Sequence, residues 1–251
     1  MIDLKNLIFQ YFPMKAKKLE PLPGIIPAMD MRAEECFELA GNLSQTKGIA
    51  AYKIGSLPVM EKGFEAFKNF PGVKIYDHQK GASDIPEIVA RQIELAAKYD
   101  FQGVIGNPLG AGRKTLERFV EKAYELGMVP IAVVEMTHPE ATSYSSREKC
   151  EELARNFAEI GGKYIVAPAT KPERIKVYKN IGEDYGEGFL VISPGVGPQK
   201  TGNAAEDAYN AVLYGADYVV VGRAIYNAEN PERAVKEIHR AITEAYEERE
   251  K

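Results

Sequence analysis

The sequence predicts an α/β protein, a single-domain (β/α)8 TIM barrel, on three observations. Eight short apolar runs alternate with eight stretches of helical periodicity over 251 residues, the length this barrel typically occupies. Several runs are continuously apolar rather than alternating, as strands buried on both faces of a parallel sheet must be. Polar and charged residues gather where the runs end, and in a barrel the C-terminal ends of the strands carry the chemistry. A doubly wound sheet is the competing architecture. It normally needs fewer strands and a glycine-rich turn after the first, where this chain has Met29-Asp30-Met31.

Residues 1–22, interrupted by Pro13 and Pro21 and carrying Lys15, Lys17 and Lys18, read as an N-terminal extension that lays a short helix against a barrel domain spanning 23–251. The first strand, 24–29, ends in Asp30, and a helical pattern covers 33–45. The second, 49–54, carries Lys53 near its end, with its helix over 57–68. The third is the β-type run 73–76; it releases a polar stretch, Asp77-His78-Gln79-Lys80, before helical periodicity resumes at Asp84 and continues to 99. The fourth, 103–105, leads through Asn107-Pro108 to a helix over 113–126. The fifth, 129–135, ends in Met136-Thr137-His138-Pro139 before a helix over 146–160. Strand six is 164–166, followed by a helix over 172–180; strand seven, 188–192, closes in Ser193-Pro194-Gly195-Val196-Gly197 before a helix over 203–214. Strand eight, 218–221, ends in Gly222-Arg223, and a long amphipathic helix runs over 231–248.

A net charge of −4 supplies no basic footprint for nucleic acid and no attraction to a membrane surface. Cys36 and Cys150 both fall inside helical patterns, which suggests neither a disulfide framework nor a zinc site. His78, His138 and His239 are too scattered for a histidine metal centre. With no apolar run of signal-peptide or membrane-span length, a cytoplasmic protein is expected.

The strand ends present Asp30, Lys53, Asp77 with Lys80, Asn107, Thr137 with His138, the glycine loop with Gln199, and Gly222-Arg223. Barrel enzymes acting on phosphorylated substrates usually hold the phosphate in the loops after strands seven and eight. Here those loops offer glycine amides free to approach an anion and Arg223, a bidentate phosphate partner. Ordinary turn chemistry and a surface ion pair are the plain alternatives. Asp77, Lys80 and Asp84 bring like and unlike charges together, an arrangement that shifts pKa values. A solvated turn in which Asp84 caps the next helix is the plain alternative there.

Five elements, in order and each at a strand end, resemble the orotidine 5′-phosphate decarboxylase family: Pro27-Ala28-Met29-Asp30, Tyr52-Lys53-Ile54-Gly55, Glu135-Met136-Thr137-His138-Pro139, Pro194-Gly195-Val196-Gly197-Pro198-Gln199, and Val221-Gly222-Arg223-Ala224-Ile225-Tyr226 with Asn230-Pro231. The resemblance implies cofactor-independent decarboxylation of orotidine 5′-monophosphate to UMP in pyrimidine biosynthesis, with no metal. It implies Lys80 as charge stabiliser and proton donor, Asp77 beside the departing carboxylate, and Lys53 holding the two in register. It also implies Asp84 reaching across a homodimer interface, Asp30 on the ribose, Thr137 on the pyrimidine, and Pro194, Gly195, Gln199, Gly222 and Arg223 around the phosphate. The magnesium-dependent sugar-phosphate lyases and decarboxylases of the same superfamily, such as hexulose-phosphate synthase, typically place a metal-holding glutamate at the end of strand two. Lys53 stands there instead, and an ammonium cannot ligate Mg²⁺.

One departure stands out. The family motif Asp-x-Lys-x-x-Asp-Ile is stretched here to Asp77-x-x-Lys80-x-x-x-Asp84-Ile85, with one extra residue in each gap. Along a strand, one extra residue would turn the lysine to the opposite face, and Gln79 would take the position that strict spacing gives it. A magnesium-dependent lyase and a non-catalytic nucleotide-binding paralogue therefore stand as alternatives. The segments 137–146 and 198–203 are the candidates for a loop that closes over substrate.

Overall fold

The computed structural model describes residues 19–78, 81–186 and 188–251, except for the side chain of Thr142. Eight parallel strands close into a barrel in sequence order: β1 Gly24–Met29, β2 Tyr52–Ile54, β3 Lys74–Asp77, β4 Gly103–Gly106, β5 Val129–Val133, β6 Tyr164–Val166, β7 Leu190–Pro194 and β8 Tyr218–Val221. β8 returns to pair with β1, Gly24 opposite Tyr218. Around them run α1 Ala33–Leu43, α2 Ser56–Ala66, α3 Pro86–Lys98, α4 Arg113–Glu125, α5 Arg147–Glu159, α6 Pro172–Glu183, α7 Ala204–Leu213, a short α8 Arg223–Tyr226, and α9 Pro231–Arg249. The expected barrel is the observed one.

The differences are local. β2 is shorter than 49–54 because Ile49 meets Ile25 only as an isolated bridge, the ladder proper beginning at Tyr52. β5 stops at Val133, so Glu135 lies beyond the strand. α3 begins at Pro86 rather than Asp84: proline suits the first helical turn, where its missing N–H removes nothing. α2 is broken at Gly63, whose φ of 76° no helix accommodates. The single turns Pro108–Gly110 and Pro139–Thr142 and the short α8 carry too little periodicity to be read from sequence.

The pleat decides what enters the barrel. Ile26 and Ala28, Ile75, Ile105, Ile131 and Val133, Val166, Ile192 and Val220 point inward, while their neighbours pack outward beneath the helices. Extending the inward alternation by one step places Asp30, Lys53, Asp77, Glu135, Pro194 and Gly222 at the C-terminal rim.

The opposite end is sealed. Leu19, 6% exposed, inserts under the barrel, its N–H donating to the Tyr164 hydroxyl at 3.2 Å and its carbonyl accepting from the Tyr218 hydroxyl at 2.8 Å. The two rings stack with centroids 6.2 Å apart. Burying the leucine contributes about 2 kcal/mol. The helix expected within 1–22 lies outside the described residues, apart from this closing segment.

Candidate functional site

A cavity of about 370 Å³ opens at the C-terminal ends of the strands. Its charged floor follows from the pleat: Asp30, Lys53 and Asp77 continue the inward faces of three consecutive strands. The Lys53 Nζ donates to both oxygens of Asp30, at 3.0 and 3.1 Å, and to Oδ2 of Asp77 at 2.5 Å. Burial alone would lower the Lys53 pKa, but Asp77 and then Asp30 outweigh it and hold the ammonium above the ordinary lysine range. Asp77 is 6% exposed, and its Oδ1 has no hydrogen-bond partner among the described residues. A buried carboxylate oxygen left open at a cavity wall is costly unless a ligand or neighbour uses it. The solvated-turn alternative therefore fails for Asp77.

Gly55 makes room for this arrangement. A Cβ there would collide with the Asp30 carboxylate and come within 3.3 Å of the Met29 carbonyl.

β3 ends at Asp77, and the His78 amide makes the last sheet contact, to Ile105 O at 3.1 Å. The extra residues of the stretched motif thus fall beyond the strand, where pleat alternation no longer dictates facing. Gly81 N donates to His78 O at 2.6 Å, Asn107 N to Gly81 O at 2.9 Å, and Ala82 adopts a left-handed φ of 63°. Gly106 lets this turn lie on β4: a Cβ there would sit 2.9 Å from the Ala82 methyl. Gln79 and Lys80 lie outside the described residues. His78 stacks on Tyr76 with centroids 5.2 Å apart; burial lowers its pKa against the pull of Asp77. It shapes the loop rather than lining the cavity.

Asp84 is exposed and lies outside this cavity; its carboxylate accepts from Ile85 N at 2.7 Å, and its carbonyl from Thr115 Oγ1 at 3.0 Å. Ile85, not Asp84, is the helix N-cap. Every other described residue expected in the site lines the cavity: Thr137, Pro194, Gly195, Gln199, Gly222 and Arg223, with the Thr137 methyl 3.2 Å from where a Cβ on Gly195 would stand. Gly195 has a φ of 99°, which favours glycine, and a Cβ there would lie 2.9 Å from Thr170 Cγ2. Not every glycine amide is free for an anion. Gly197 N is bound to the buried Asp207 at 2.9 Å, and Thr201 Oγ1 ties to the same carboxylate at 2.9 Å, pinning the loop's far side. Arg223 and Gln199 are exposed, and Arg223 forms no ion pair among the described residues.

Sequence reasoning missed Glu135 as a wall residue. It is 1% exposed, with Oε1 accepting from Lys171 at 3.0 Å and Oε2 from Arg174 Nε and the Tyr178 hydroxyl, both at 2.8 Å. Burial works against its charge, but the hydrogen bonds from Arg174, Tyr178 and Lys171 prevail and keep its carboxyl below the ordinary glutamate range. Continuing the inward alternation of 131 and 133 was the signal that could have found it. His138 is exposed at the start of the Pro139–Thr142 turn, and His239 is partly packed against Gly48. Among the described residues no cluster of metal-ligating side chains occurs.

Comparison with known proteins gives one answer. A family model described as "Orotidine 5'-phosphate decarboxylase / HUMPS family" matches residues 23–238. The orotidine 5′-phosphate decarboxylase of Methanococcoides burtonii is 33% identical over 221 residues, covering 88% of this chain and 97% of that protein. That of Pyrococcus abyssi is 40% identical over 181 residues, covering 70% and 76%. Among solved structures, the Methanocaldococcus jannaschii orotidine 5′-monophosphate decarboxylase complexed with the inhibitor BMP superposes with a TM-score of 0.74 at 28% identity, covering 88% of this chain and 99% of that one.

Proposed function

This chain belongs to the orotidine 5′-phosphate decarboxylase / HUMPS family, and on that premise we propose that it decarboxylates orotidine 5′-monophosphate to UMP, without metal or cofactor, as a cytoplasmic homodimer. The observation that carries the reading is the Asp30–Lys53–Asp77 row at the cavity floor. A cation fills the position where the magnesium-dependent relatives keep a carboxylate, and Asp77, which lines the cavity, has a buried oxygen without a partner among the described residues.

Loss of CO₂ from C6 leaves an electron pair that no cofactor stores, so the site must stabilise a carbanion electrostatically. Lys80 is the proposed stabiliser and the donor of the proton that then forms the C6–H bond. Asp77 faces the departing carboxylate, and their repulsion is relieved as CO₂ leaves. Lys53 orients Asp77, and Asp30 holds the ribose. Thr137 contacts the pyrimidine. Phosphate lies between Gly195, Gln199, Gly222 and Arg223, and this remote binding energy draws the loops closed. Asp84, exposed beside the exposed apolar Ile85, supports a second copy docking on this edge and receiving its carboxylate.

The test is loss of orotidine 5′-monophosphate absorbance with EDTA and with added Mg²⁺. Turnover that ignores both supports the reading, and turnover abolished by EDTA refutes it in favour of a magnesium enzyme. UMP binding without turnover leaves a nucleotide-binding paralogue.

A further inference from the structure

The loop after β7 brings Gln199 to the cavity wall, and a buried carboxylate outside that wall holds the loop in shape. Asp207, in the first turn of α7, is 0% exposed. Its Oδ2 accepts from Gly197 N at 2.9 Å and from Thr201 N at 3.3 Å, and its Oδ1 accepts from the Thr201 hydroxyl at 2.9 Å. Gly197 and Thr201 stand two residues to either side of Gln199, so the segment is an arch with both feet on one carboxylate. Further bonds brace the arch. Lys200 N and Gly202 N both donate to Gly197 O, at 2.8 and 3.1 Å, and Asn203 N donates to Thr201 Oγ1 at 3.1 Å. Asn203 in turn caps α7 by accepting from Glu206 N. Gly197, at a φ of 84°, also abuts the residue after Arg223: a Cβ there would stand 3.3 Å from Ala224 Cβ.

Resting on the function proposed above, we infer that Asp207 is a positioning residue for phosphate binding, holding Gln199 at the crown of an arch that is built before the nucleotide arrives. Like charges repel, so a carboxylate beside a phosphate loop weakens binding unless the donors it gathers return more than its field removes. The two contributions have opposite signs, which makes them separable. Asp207→Asn keeps the size of the side chain, removes the repulsion and leaves one acceptor oxygen for donors that used two. Thr201→Val removes the hydroxyl foot and leaves the charge in place; Thr201→Ser keeps both.

The experiment measures UMP and uridine affinity by calorimetry, kcat and KM for orotidine 5′-monophosphate, and amide hydrogen exchange over 196–203 in the nucleotide-free chain. Asp207→Asn and Thr201→Val are each expected to raise KM and the UMP Kd about five- to tenfold, with kcat within about twofold of wild type. Uridine, which has no phosphate, should bind both variants as it binds wild type, and Thr201→Ser should match wild type throughout. Exchange over 196–203 should quicken in Asp207→Asn and in Thr201→Val. UMP held by Asp207→Asn as tightly as by wild type, or more tightly, would show that the carboxylate only repels and would overturn the inference. An equal loss of uridine affinity, the mark of general loosening, would overturn it too. If Asp207→Asn fails to fold, the exposed Thr201 decides by the same criteria through Thr201→Val. A wild-type chain that binds no UMP would refute the proposed function instead, and the exchange comparison would still decide whether Asp207 holds the arch.

Discussion

Replacing Lys53 by methionine is the sharpest probe of the cavity floor, because it keeps an unbranched apolar stem and deletes the charged, hydrogen-bonding end. At 2.5 Å from Asp77, the ammonium's Coulomb attraction is ~7 kcal/mol for an effective dielectric of 20, before the cost of burying either ion. The Asp30 contact, at 3.0 Å, counts for much less because that carboxylate is 49% exposed and screened by water. Removing one partner of a buried pair typically costs about 3–5 kcal/mol, since the survivor is left charged and dry. Lys53→Met should therefore lose about 3–5 kcal/mol of unfolding free energy in urea titrations at pH 7.5. The sign of the pH dependence follows. The raised Lys53 pKa means that wild-type stabilisation is fully present below the ordinary lysine pKa and fades only as pH climbs past the folded value, so it is flat near neutrality. In the variant the deficit should shrink on acidification, because protonating a carboxyl removes the unpaired charge. Adding Asp77→Asn should recover most of the loss. A variant within about 1 kcal/mol of wild type at pH 7.5, or a deficit that grows in acid, would refute the buried-pair reasoning.

Three further outcomes are expected. Arg223→Ala should raise KM for orotidine 5′-monophosphate roughly 30- to 150-fold, the equivalent of about 2–3 kcal/mol for a charge-assisted phosphate contact, and unchanged UMP affinity would remove Arg223 from the phosphate site. Gly55→Ala should displace the Asp30 carboxylate and raise KM severalfold while the fold survives; wild-type kinetics would show that Asp30 does not bind the ribose from this position. Lys80→Ala should reduce turnover at least 10³-fold with UMP affinity within about threefold, and an active variant would leave the C6 proton to another donor.

The barrel and most of its rim were legible because both depend on short-range regularities. A strand's pleat has a period of two residues, so apolar inward positions point directly to Asp30, Lys53, Asp77 and Gly222 one step beyond. The same rule raised a difficulty at the stretched motif, whose Gln79 and Lys80 lie outside the described residues. It assumed that the strand persisted past Asp77, whereas the chain turns there, held by the left-handed Ala82 on Gly106. Glu135 lay one step further along the same alternation, past 131 and 133, but its ion network was hidden for a different reason. Its partners Lys171, Arg174 and Tyr178 lie 36 to 43 residues downstream, and no local spacing announces an ion network assembled across two βα units. The asymmetry among the glycines was equally hidden, since only the packing of Asp207 shows that Gly197's amide is already taken.

Leu19 and the two tyrosines beneath the barrel govern traffic as well as stability. Among the described residues the base is stoppered and the interior above it is filled by Ile26, Ile75, Ile131 and Ile192, so the cavity opens at the rim. Nucleotide must enter and leave by the route that CO₂ takes. Gas released while UMP stays bound must slip past the nucleotide or wait for the rim to open. A gap cut in the stopper, as by Leu19→Gly, would leave the isoleucine layers above it in place, so the rim would still carry the traffic.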